Sequence, residues 1–164
     1  MKDALLLGLA ALAALCAQPA AAQMTEYELT QVAAERRTLM FDIQDIYFVL
    51  FNLNRGKTDD FAAGAEAAGR VPEKIDAFAS KLLPGTERGK APGTRARPEI
   101  WTEPEAFAEA VAGLKAAAAV LGEAAASGDT ETFKAHFDDL TDACAACHGF
   151  RPSSGGRFRY DRED

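Results

Sequence analysis

Two cysteines three residues apart, with a histidine directly after the second, are the residues of this chain best suited to chemistry: Cys144-Ala145-Ala146-Cys147-His148. On an α-helix Cys144 and Cys147 are i and i+3, and His148 is i+4 from Cys144, so all three side chains project toward one ligand. Two thiols so placed can add to the two vinyl groups of one porphyrin while the imidazole binds its iron. That makes the motif an attachment signature for haem c, one per chain and covalently bound. A structural zinc site is a poorer reading, because it needs four ligands and only His136 remains elsewhere to join the cluster. A thioredoxin-type redox pair would open a helix within a βαβ unit, a pattern this sequence does not show.

The N-terminus bears on the chemistry of those thiols. Residues 1–22 read as a signal peptide: Lys2 near the start, an apolar stretch from Ala4 to Leu15, and Ala20-Ala21-Ala22 as a small-residue cleavage site before Gln23. The apolar stretch is shorter than the ~20 residues that span a bilayer. Export to the periplasm is therefore expected, with no membrane anchor after cleavage. Cleavage also removes Cys16, one of three cysteines, and leaves Cys144 and Cys147 without a disulfide to make. The formal net charge of −7 is unchanged, since Lys2 and Asp3 cancel. An acidic chain is repelled by nucleic acid and anionic lipid, so small molecules, or proteins with basic patches, are the expected partners.

The elements that must position the motif are helical. Four segments rich in Ala, Glu, Lys and Leu carry helical periodicity, and no alternating strand pattern is present. The first is expected from Thr25 or Thr30 to about Asn52, with Thr25 and Glu28 as a capping box and Val32, Arg36, Leu39, Ile43, Ile46 and Leu50 along one stripe. The second spans roughly Thr58 to Leu83, with a kink or break near Val71 because Gly69 and Pro72 lie inside it. A loop of three prolines and three glycines follows from Pro84 to Pro98, longer than a helix connection needs. The third helix is expected to begin at Thr102-Glu103-Pro104, with Thr as cap and Pro in the first turn, and to run to about Ser127. The last follows Thr130 and carries Phe133, Phe137, Leu140 and the motif. The fold class is all-α, an antiparallel four-helix bundle over residues 23–152 with one covalently attached haem, followed by a flexible tail over 153–164. In such a bundle the first helix lies beside the last and can supply groups to the other face of the haem.

With its C-terminal CxxCH, four helices, Leu83-Pro84-Gly85-Thr86 leading to Pro98-Glu99-Ile100-Trp101, and Arg36-Arg37-Thr38-Leu39-Met40 on the first helix, the chain resembles the class II c-type cytochromes, the cytochrome c′ family with its low-spin methionine-ligated relatives. The resemblance implies that Arg36 lies near the haem propionates, a role that suits a guanidinium. Arg95 and Arg97 are weaker candidates for the same role. It also implies that Met40 sits over the distal face of the iron. There the thioether is either the sixth ligand or a non-coordinating neighbour, and helical spacing alone is equally consistent with a plain core methionine. Trp101 is expected at the bundle end near the haem edge or in a structural role, and His136 at the surface.

The family continues after the histidine with two residues, an aromatic and a basic one. Here the chain reads Gly149-Phe150-Arg151-Pro152, and an aromatic-arginine pair reappears only at Phe158-Arg159, as if after an insertion. Two functions follow from the resemblance: a one-electron carrier serving redox partner proteins, or a five-coordinate binder of small gases, nitric oxide or carbon monoxide. Neither is an enzyme, and peroxidase-like catalysis lacks a placed acid/base group, since Asp42 points away from Met40 by helical phase. The resemblance also implies a homodimer through the first two helices, for which Tyr47, Phe48 and Phe51 give the first helix extra apolar surface.

Overall fold

The computed structural model describes residues 24–149 and 155–160. The expected signal peptide and Pro152 lie outside the described residues. Five helices follow in order: α1 Glu26–Asn54, α2 Phe61–Ser80, α3 Glu99–Thr102, α4 Pro104–Ser127 and α5 Thr130–His148. The four long ones form the antiparallel four-helix bundle, and α3 is a single turn in the connection between α2 and α4.

Local chemistry sets the ends. Thr25 and Glu28 make the full capping box on α1, each satisfying a backbone N–H of the other. Asp129 caps α5 by accepting from the N–H groups of Glu131 and Thr132. The expected cap at Thr102 is not what forms. Thr102 ends α3, and Glu103 precedes α4 without a side-chain cap bond, while Pro104 does occupy the first turn. What draws Thr102 into α3 is packing: Ile100 is buried, and the Trp101 indole N–H donates to the Leu82 carbonyl at 3.2 Å. The break expected near Val71 is also absent, and α2 runs unbroken through Pro72. Ala68, Val71 and Ile75 on either side are buried in the bundle, whose packing outweighs the one hydrogen bond that proline forgoes.

The contact of α2 with α4 is the most extensive, and α1 meets α5 most sparingly of the four long-helix pairs. The α1–α5 contact is aromatic: the Phe137 ring lies 5.4 Å from Tyr47 and 6.3 Å from Phe51, centroid to centroid. Two of the three residues expected to face a second copy, Tyr47 and Phe51, are therefore partly buried within the bundle, and only Phe48 stays exposed. Phe133 sits at the centre of this cluster, 1% exposed and edge-on to Phe61 at 5.9 Å. Phe133→Ala is expected to cost about 3–5 kcal/mol in urea unfolding with helical content retained. A cost below about 1 kcal/mol would mean that this core does not exist as described.

The flexible tail expected over 153–164 is corrected for residues 155–160. Phe158 is 3% exposed, packs edge-on against Phe107 of α4 at 5.3 Å, and donates its N–H to the Cys147 carbonyl at 3.3 Å. Arg159 pairs with Ala96 in an isolated antiparallel bridge. A buried aromatic ring holds this segment down where its glycine-rich composition suggests freedom.

Candidate functional site

The motif occupies the last turns of α5. Cys144 and Cys147 are free thiols, both partly buried. Burial pushes the Cys144 thiol up to about 11 and the Cys147 thiol likewise to about 11, with the neighbouring Cys144 adding to the second shift. Both are therefore held as S–H groups in this environment. His148 is pushed the other way, down to about 4, by burial and then by the charges of Arg159 and Arg95. A neutral imidazole keeps a lone pair for a metal. Thiols, imidazole and spacing thus fit a haem c. Among the described residues no three of His, Cys, Asp and Glu gather as a metal site of their own.

Along the bundle axis, the contact of Phe137 with Tyr47 and Phe51 sets the register of α5 against α1. Because both helices rise about 1.5 Å per residue in opposite directions, counting from that contact brings His148 level with the segment between Arg36 and Met40. Arg36 and Met40 are i and i+4, on one face of α1. Met40 is half-buried and packs against the core, as Cys144 does.

Arg36 is 4% exposed, so it is not a solvated helix charge. Its Nη1 donates to Thr86 Oγ1 at 3.1 Å, and its Nη2 to the Thr86 carbonyl at 2.8 Å and to Thr94 Oγ1 at 3.0 Å. Thr86, fully buried, passes its own hydroxyl proton to the Leu83 carbonyl at 2.6 Å. Arg37 adds a bond to the Gly93 carbonyl at 2.9 Å. Two adjacent arginines thus tie the long loop to α1, which explains its length: it is folded over the bundle end. The threonines that receive Arg36 were not singled out in the sequence, though Thr86 stands inside the Leu83-Pro84-Gly85-Thr86 stretch.

Of the weaker propionate candidates, Arg97 is engaged by Glu99 through two bonds, at 2.7 and 3.1 Å, and Arg95 contributes its charge at His148. Phe158-Arg159, distant in sequence from the motif, returns to it in space: Phe158 bonds Cys147, and the Arg159 charge is felt by His148. Asp42 is taken by Lys74 of α2 at 2.7 Å and Gln44 is exposed, so neither faces the site. His136 is half-buried with its Nδ1 3.0 Å from Asp139.

The family model described as Cytochrome C′ matches residues 31–151. Cytochrome c-554 of Cereibacter sphaeroides is 33% identical over 89 residues, covering 51% of this chain and 58% of that protein. Cytochrome c′ of Alcaligenes xylosoxydans is 37% identical over 65 residues, covering 40% and 47%. These matches span about half the length of the relatives. Among solved structures, cytochrome c′ from Rubrivivax gelatinosus superposes with a TM-score of 0.66 at 24% identity, covering 80% of this chain and 97% of the other. Cytochrome c prime from Alcaligenes xylosoxidans does so as a single-residue variant with bound nitric oxide (TM-score 0.66, 20% identity, 85% and 99% covered) and as another single-residue variant with bound carbon monoxide (0.66, 21%, 84% and 98%). At these identities the structural likeness establishes the bundle and no more. The chain belongs to the cytochrome c′ family, whose haem c is covalently attached.

Proposed function

We propose that this chain is a periplasmic monohaem c-type cytochrome that carries single electrons between redox partner proteins and is not an enzyme. Cys144 and Cys147 would hold the haem by thioethers, and His148 and Met40 would ligate its iron. The haem supplies a ferric/ferrous couple when bound. The observation that carries this reading is the position of Met40, half-buried against the core at the level of His148 and one turn from Arg36. Arg36, fixed by Thr86 and Thr94, supplies positive charge for the propionates. A thioether from Met40 and an imidazole from His148 would both suit a haem that exchanges single electrons.

The alternative is a five-coordinate haem that binds nitric oxide or carbon monoxide, and it draws on the gas complexes of the Alcaligenes protein. Absorption spectra of ferric and ferrous protein, with and without carbon monoxide, separate the two. The carrier predicts a ferric methionine-to-iron band and no response to carbon monoxide, and Met40→Ala should abolish that band. A high-spin ferric spectrum and a carbon monoxide shift in the native protein would eliminate Met40 as a ligand.

Self-association also belongs to this reading. Phe41 and Phe48, 57% and 50% exposed, lie seven residues apart on one face of α1, with Val49 beside them. A second copy meeting this face gives a homodimer through the first helices.

A further inference from the structure

His148 is the last residue of α5, so its carbonyl and those of the preceding turn have no partner further along the helix. Terminal turns fray, yet this one must hold an iron ligand in one orientation. The thioethers fix Cys144 and Cys147 but not the residue beyond them. We propose that residues 155–160 are a proximal strap that clamps the last turn of α5 and so orients His148 toward the haem iron. The inference rests on the reading of His148 as that ligand.

The clamp is made by backbone. The Phe158 N–H donates to the orphan Cys147 carbonyl, and the Gly149 N–H closes the helix on the Ala145 carbonyl at 2.7 Å. A Cβ at Gly156 would overlap Cys147 O and the His148–Gly149 peptide, so the strap lies directly on the backbone of the motif. Gly149 has φ +77° and ψ 162°, a turn reserved for glycine, and it ends the helix where the strap begins to cover it.

Anchors on three sides hold the strap down. Phe158 is buried against Phe107, and its carbonyl accepts from the Arg97 N–H at 3.1 Å. The Tyr160 N–H donates to the Arg95 carbonyl at 2.9 Å, and its ring packs against the guanidinium carbons of Arg88 and Arg97 at 4.9 and 4.7 Å. Glu99, paired with Arg97, offsets the repulsion between those two cations. Arg157 pairs with Glu103 ahead of α4. The strap thereby ties the motif turn to the loop and to α4.

The test uses the haem-loaded chain ending at Ser154, together with Phe158→Ala and Tyr160→Ala in the full chain. Haem content should stay at one per chain, because the thioethers are untouched. The ferric paramagnetic resonance spectrum, which reports the orientation of the axial imidazole, should broaden or split into more than one species. Exchange of the Gly149 amide should accelerate about tenfold or more. An unbroadened single species with wild-type amide exchange in all three variants would overturn the strap. Should the truncated chain not accumulate, the two substitutions decide. A wild-type chain that takes up no haem would instead sink the underlying reading of the site.

Discussion

Replacing both Cys144 and Cys147 by serine is expected to abolish covalent haem completely, read as loss of haem staining on a denaturing gel. Both thiols are partly buried at the end of α5, and Cys144 packs against the core. The stability of the chain should fall with the cofactor, since a ligand bound only by the folded state contributes to folding by mass action. The sparse α1–α5 contact enlarges that loss, because little side-chain packing stands in reserve between those two helices. His148→Ala behaves differently: the thioethers persist and only the iron spectrum changes. Covalent haem surviving in the double serine variant would refute the assignment of the motif.

Arg36→Ala should have the next largest effect, a loss of about 3–5 kcal/mol in urea unfolding. The substitution removes three hydrogen bonds at once and leaves the carbonyl and hydroxyl of a fully buried Thr86 without their donor. Burial lowers the tendency of this guanidinium to hold its proton, but an arginine remains charged, and the charge is solvated by threonine oxygens instead of water. Because the bonds run from α1 to the loop at Thr86 and Thr94, the variant should also open that loop to protease. Thr94→Val loses one of the three bonds and should cost only about 1–2 kcal/mol. A loss below about 1 kcal/mol for Arg36→Ala would show that the network does not hold the loop.

The helices, the capping box at Thr25 and Glu28, and the CxxCH motif were legible because each is a local pattern: periodicity, a side chain three residues from its backbone partner, a fixed ligand spacing. What escaped was set by tertiary packing. Thr102 has the chemistry of a cap, yet burial of Ile100 and the Trp101 bond to Leu82 place it at the end of another helix. Pro72 signals a break that buried neighbours override. Tyr47 and Phe51 look like surplus surface until Phe137 is seen against them. Residues 153–164 have the composition of a free tail, and one phenylalanine packed against Phe107 is enough to dock residues 155–160. For Arg36, the residue type suited a carboxylate such as a propionate, but no sequence pattern pointed to Thr86 and Thr94, fifty and fifty-eight positions away.

The glycine clamp at the end of α5 also constrains how the chain can drift over evolutionary time. Contacts between the motif and residues 155–160 are main chain against main chain, so what the motif requires of this segment is its path. Gly149 and Gly156 have no such latitude. A Cβ at Gly149 would overlap the Gly155 carbonyl, and one at Gly156 the Cys147 carbonyl, so neither position can accept another residue unless the whole return of the chain is rebuilt.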